Sequence, residues 1–172
     1  MRTLHLLRHA KSSWDEPRLD DHERPLSGRG RKAAPAMGEW MAAHGVAPEL
    51  ILVSTASRTQ ETLNAILPQL ASEPEIRSED ALYLATADEL LARLRRLPAS
   101  RREVMLIGHN PGLHELALLL AQAGDDAGHQ RLSEKFPTAA LASLEAAGGW
   151  SRLKPGSMRL IRCIRPENVI HM

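Results

Sequence analysis

Three short segments of this chain join a β-compatible apolar run to side chains able to hold an anion. Residues 3–7 run into Arg8-His9, residues 50–53 lead through Ser54-Thr55-Ala56 to Arg58, and residues 104–107 run into Gly108-His109-Asn110-Pro111-Gly112. Guanidinium forks match the oxygens of a phosphoryl group, and a neutral imidazole is a nucleophile or proton carrier near neutral pH. Two arginines and two histidines gathered on one rim would suit a phosphoryl group and repel a cation. Singly, each has an ordinary role. Arg8 fits a surface salt bridge, His9 a half-buried polar residue, Arg58 an ion pair with Glu61 or Glu39, and His109 a turn. Those separate roles leave unexplained why the residues fall at equivalent places in three successive units.

The elements that must position them follow an α/β pattern. The run 3–7 reads as a buried strand, 14–28 as a charged loop with Pro17 and Pro25, and about 29–44 as an Ala-rich helix capped by Ser27 and stopped by Gly45. A strand at 50–53 precedes a helix from a Ser57 cap to about residue 70. Ile76 marks a weak strand, and Thr86 caps a helix over about 87–97. The strand at 104–107 leads to a helix capped by Asn110, with Pro111 in its first position, ending near residue 121. A polar loop over 125–137 and two strands at 138–144 and 158–164 complete the chain. The expectation is a single-domain three-layer α/β/α sandwich with a mostly parallel central sheet, spanning residues 1–172. In such sheets the carboxyl ends of the strands and the following helix starts form the ligand crevice, where free helix N–H groups favour phosphate.

Composition removes several classes of function. The 22 basic and 21 acidic side chains nearly cancel to +1, which disfavours a nucleic-acid module working through a broad electrostatic footprint. Aromatic residues are 3% of the chain, too few for base-stacking platforms. Only four of the basic residues are lysine, so any single arginine carries little functional weight by itself. Cys163 stands alone and cannot form an internal disulfide. The N-terminal apolar run is broken by His5 and Arg8, and no stretch approaches a membrane span. The expectations are no membrane, no nucleic acid and a cytoplasmic location; oligomeric state is not legible.

The ordered motifs resemble a known family. Leu7-Arg8-His9-Ala10-Lys11-Ser12 resembles the Arg-His-Gly signature of the histidine phosphatase superfamily, which includes the phosphoglycerate mutases. Residues 54–62 resemble its second motif and residues 107–112 its third. The SixA-like phosphohistidine phosphatase branch is most similar. It has counterparts of Arg-His-Ala-Lys-Ser, of residues 21–26, of Gly-His-Asn-Pro-Gly and of Lys135-Phe136-Pro137-Thr138. Ala10 stands where the superfamily usually has Gly, as in that branch. The acid that phosphoglycerate mutases carry between the second and third motifs has no evident counterpart; Asp88 and Glu89 read as helix-start charges.

The resemblance implies a hydrolase working through a phosphohistidine intermediate, on protein phosphohistidine or a small phosphorylated substrate. His9 would be the nucleophile, with Arg8, Arg58 and His109 around the transferring group and Ser12 and Asn110 among the phosphate-binding residues. No metal or other cofactor is expected, because the cations are built in. Trp40 and Trp150 read as packing groups, and Trp14 could wall the pocket. Asp15, Asp20, Asp21 and His22 could overhang the site or form a solvated loop, and whether one of these carboxylates or Asp88 acts as an acid stays open. Competing readings are a metal-dependent phosphoesterase using Asp20, Asp21, His22 and His109, a mutase, a small-molecule phosphomonoesterase, and a noncatalytic phospho-ligand domain. That last class needs the arginines but not His9.

Overall fold

In the computed structural model, which describes residues 1–170, the strands are β1 (Arg2–Arg8), β2 (Leu50–Ser54), β3 (Glu75–Glu79), β4 (Glu103–Gly108), β5 (Leu141–Ala146) and β6 (Arg159–Ile164). They form one sheet in the order β3-β2-β4-β1-β5-β6. The first four are mutually parallel, and β5 runs antiparallel to both β1 and β6. The central strands are apolar nearly throughout, as strands covered on both faces must be. The edge strand β3, Glu-Ile-Arg-Ser-Glu, is mostly exposed and charged, which discourages pairing with another chain.

Alternation along each central strand sends side chains to two separate cores. Leu4, Leu6, Leu50, Leu52, Val104 and Leu106 pack on one face. There they meet α3 (Ala87–Arg95), α4 (Gly112–Leu120) and α5 (Ala127–Glu134) through Leu90, Leu94, Leu113, Leu120 and Leu132. Leu7, Ile51, Val53, Met105 and Ile107 pack on the other face against α1 (Gly28–Ala43) and α2 (Ser57–Ile66), through Met37, Met41, Leu63 and Ile66. The result is the three-layer, single-domain α/β fold with a mostly parallel sheet.

Several boundaries differ from the sequence expectation. The segment read as a polar loop over 125–137 contains α5, whose cap Asp126 accepts from the His129 backbone N–H. With only Leu132 fully buried, its apolar periodicity is too short to stand out. Ala56 rather than Ser57 occupies the cap of α2, which ends at Ile66 and continues as a single 3-10 turn. Pro111 rather than Asn110 precedes α4. β5 starts at Leu141 because residue 139 turns with a φ of 64°.

Two glycines seat the helices on the rim that carries the motifs. A Cβ on Gly30 would lie 2.1 Å from the Lys11 carbonyl oxygen, and one on Gly112 would lie 1.9 Å from that of Ala85. Only glycine allows α1 and α4 to approach these loops so closely. No described helix is long and apolar enough to cross a membrane.

Candidate active site

Because β1, β2 and β4 run the same way, Arg8, Ser54 and Gly108 end on one rim, and Arg8 lies in register with Gly108. The backbone N–H of His9 continues the pairing to the Gly108 carbonyl at 3.2 Å. The next N–H, of Ala10, donates to Thr62 Oγ1 on α2 at 3.0 Å, fixing the first motif against the second. The rings of His9 and His109 lie 5.4 Å apart. The structure thus brings Arg8, His9, Arg58 and His109 together.

The tautomer of His9 is set by its own chain. Nδ1 donates to the Ala10 carbonyl at 2.7 Å, leaving Nε2 with its lone pair and no partner among the described residues. Burial pushes the His9 pKa down to about 4; the Ala10 hydrogen bond opposes this, and Arg8, Arg58 and Arg24 add to the lowering. Burial, more than the guanidiniums, keeps this imidazole neutral. His109 is lowered to about 3, first by burial and then by His9 and Arg58. The Ser54 hydroxyl accepts from the Ala56 N–H at 3.2 Å and lies 2.8 Å from His109 Nε2, so its proton is free to go to that nitrogen. The His109 N–H is then on Nδ1, which is buried with no partner among the described residues.

Two more buried donors are unpartnered in the same way, Nε of Arg8 and Nε of Arg58. The remaining donors of these arginines are partly engaged. Arg8 Nη1 reaches the Phe136 carbonyl at 3.3 Å, and Arg58 gives Nη1 to the Asp21 carbonyl at 2.7 Å and Nη2 to Asp21 Oδ2 at 2.9 Å. Burial and the neighbouring Arg58 lower the pKa of Arg8. A buried donor without an acceptor costs about 1 to 3 kcal/mol; three such groups beside buried Arg58 and half-buried Arg8 suit an anion, while Asn110 Oδ1, also buried and unpartnered, can accept from a protonated oxygen or water.

Of the two sequence expectations for Asp21, overhanging the site or lying in a solvated loop, the fold gives the first. Burial raises its pKa, but hydrogen bonds from Tyr83 and Arg58 and the charge of Arg58 bring it down to about 2. Arg58 pairs with Asp21 rather than with Glu61 or Glu39. Ser12 Oγ accepts from Arg24 Nη1 at 2.8 Å, which leaves its own proton available. Asn110 uses its amide N–H on the Phe136 carbonyl at 2.7 Å, clamping the loop before β5. His22 shares a 2.9 Å hydrogen bond with Thr55 Oγ1, and Trp14 is exposed beneath the Arg24 guanidinium, 3.5 Å from its ring centroid. Asp15, Asp20 and Asp88 are exposed and form no side-chain hydrogen bond to the cluster. No group of three His, Cys, Asp or Glu among the described residues is placed to hold a metal ion.

Sequence reasoning missed Arg24, Tyr83 and Ser54. Arg24 is buried, touches Ser12, the Ser13 carbonyl and Asp21, and lies in the 21–26 segment that the family resemblance had marked. Tyr83 packs edge-on against His109 and donates to Asp21. Its one signal was rarity, since it is the only tyrosine.

Known proteins share this chain's sequence pattern and fold. The profile of the histidine phosphatase superfamily (branch 1) matches residues 4–82. An uncharacterized protein of Mycobacterium tuberculosis is 34% identical over 157 residues, covering 90% of this chain and 96% of the relative. The solved structure of a protein assigned by name as phosphohistidine phosphatase SixA of Nakamurella multipartitia superposes with a TM-score of 0.83 at 30% identity, over 96% of both chains. A protein so assigned from Agrobacterium tumefaciens gives 0.80 at 31% identity, over 96% of this chain and 98% of its own. By sequence and by fold, then, this chain belongs to the histidine phosphatase superfamily and is a SixA-like member of it.

Proposed function

We propose that the protein is a metal-independent phosphatase that works through a phosphohistidine on His9 and acts on protein phosphohistidine. The observation that carries this reading is the pairing of a free Nε2 lone pair on a buried, neutral His9 with three unpartnered buried donors, Arg8 Nε, Arg58 Nε and His109 Nδ1.

His9 Nε2 attacks phosphorus in line, forming an N–P bond as the bond to the leaving group breaks. Arg8, Arg58 and His109 donate to the nonbridging oxygens as charge shifts onto them, and the Ser12 hydroxyl adds a donor. Water then cleaves the phosphohistidine, releasing inorganic phosphate and restoring neutral His9. Asn110 acts through the Phe136 carbonyl, which also receives Arg8, and so positions the clamp.

The choice of a P–N substrate rests on Asp21. A carboxylate held near pKa 2 has no proton to give at neutral pH, and the Tyr83 phenol already donates its hydrogen bond to Asp21 Oδ2. An alkoxide leaving group needs a proton, a step for which general acid catalysis supplies about 10² to 10⁴-fold. Imidazole leaving from phosphohistidine takes its proton from solvent and departs neutral.

The test is kcat/KM for a phosphohistidine peptide, p-nitrophenyl phosphate and phosphoserine, with and without excess chelator. The expected order is phosphohistidine, then the aryl ester, then phosphoserine, unchanged by EDTA. Efficient phosphoserine cleavage would move the substrate to phosphoesters, and a loss restored by Mg²⁺ or Zn²⁺ would assign a metal-dependent mechanism.

A further inference from the structure

Beside the clamp runs a cationic trough that the chemistry at His9 does not use. One cavity of about 370 Å³ is lined by Lys11, Arg29 and Lys32, and a second of about 230 Å³ by Lys135 and Arg165. The two share Arg29, Thr138, Pro166 and Ile170, so they adjoin as one depression. Its lining adjoins the site along the chain. Lys11 lies two residues past His9, and Lys135 precedes Phe136, whose carbonyl receives Arg8 and Asn110. The Ala139 N–H, just past Thr138, donates to the His9 carbonyl at 2.9 Å.

Arg165 is buried and paired with Glu134 and Glu167, but the other four cations are not explained by folding. Lys11, Arg29, Lys32 and Lys135 are exposed, and none makes an ion pair among the described residues. Arg29, Arg31 and Lys32 all fall in the opening turns of the 16-residue helix α1, whose first turn has no acidic residue. Cations at a helix N-terminus oppose the macrodipole and cost stability. In a chain of net charge +1 this positive field is local, and the one carboxylate lining the trough among the described residues, Glu167, is paired with Arg165.

We infer that this trough binds an extended, acidic polypeptide segment flanking the phosphorylated residue of the substrate. Its cations are spread over separate segments, Lys11, Arg29 and Lys32 in one cavity and Lys135 and Arg165 in the other, which suits several carboxylates along a peptide better than one compact metabolite. Ala33, Pro137, Pro166 and Ile170 interrupt the cations, offering apolar contact to backbone and methylene groups between acidic side chains. The inference rests on the phosphatase reading of the neighbouring site and assigns that site a protein substrate with acidic flanks.

The experiment compares the full-length protein with Arg29→Glu/Lys32→Glu, substitutions on the exposed face of α1 that leave the clamp intact. Anisotropy of a fluorescein-labelled, unphosphorylated peptide with Glu on both sides of a central His is measured against the same peptide with Gln for Glu. The Glu peptide should bind roughly tenfold tighter, lose that advantage in the double variant and weaken with added salt. Turnover of p-nitrophenyl phosphate should stay the same in both proteins. Equal binding of the two peptides, or a double variant that binds like wild type, would overturn the inference; so would a parallel loss of aryl phosphate turnover, which would place these cations in the clamp. If the phosphorylated Glu peptide is not cleaved while the aryl phosphate is, the phosphohistidine reading fails separately, and the binding arms still judge the trough.

Discussion

Asp21 holds both terminal nitrogens of Arg58, one through its backbone carbonyl at 2.7 Å and the other through Oδ2 at 2.9 Å, so the buried guanidinium is aimed before any substrate arrives. Oδ1 of the same carboxylate receives Arg24 Nε at 3.2 Å, and Oδ2 receives the Tyr83 hydroxyl. One loop residue thereby orders Arg58 and the neighbouring Arg24. In this account Asp21 positions and does not protonate. Asp21→Asn should lower kcat/KM by about tenfold or less, and by the same factor for phosphohistidine and aryl phosphate substrates. A loss that grows as the leaving group worsens would identify Asp21 as the acid.

Arg8 and Arg58 should each matter more than Asp21, since each keeps a buried Nε donor without a partner near His9. Arg8→Ala or Arg58→Ala should remove about 2 to 4 kcal/mol of transition-state stabilisation, the scale for one preorganised donor. Circular dichroism should show both variants folded. A folded variant with wild-type kcat/KM would place that arginine outside the clamp.

The depressed pKa values of His9 and His109 couple acid to unfolding. The folded protein holds these imidazoles neutral down to about pH 4 and 3, while the unfolded chain protonates them near 6.5. Below about pH 6.5 the unfolded state therefore binds more protons. This contribution to stability is complete above that pH and is lost as the pH falls through about 4 and then 3. His9→Gln should lose less Tm than wild type between pH 7 and pH 5. An equal loss would mean that His9 is not held neutral. In catalysis the same depression should put the acid limb of kcat/KM well below 6.5, once the substrate's own ionisation is corrected for.

Much of this was legible in the sequence because the central strands are apolar runs ending in polar motifs. Strand and helix punctuation gave the order of elements, and parallel strands necessarily bring Arg8 and His109 to one rim. The partners of those residues were harder to see. Asp21 and Arg24 reach the site from a charged loop, where periodicity carries no information, and Tyr83 arrives from a turn after the edge strand. α5 was hidden because a helix with a single fully buried leucine looks like a polar loop. Ser54 was read only as a turn residue. Its role beside His109 depends on a hydroxyl direction that spacing does not encode.

The nucleophile is the centre of the account, and trapping it is the most direct test. Wild-type protein mixed with ³²P-labelled substrate and quenched without acid should carry label that is stable to base, labile to acid and located by peptide mapping on His9. His9→Ala should carry none and should not turn over, while still binding phosphate through Arg8, Arg58 and His109. Label on another residue, or turnover that survives His9→Ala, would contradict the assignment of His9 as the attacking group.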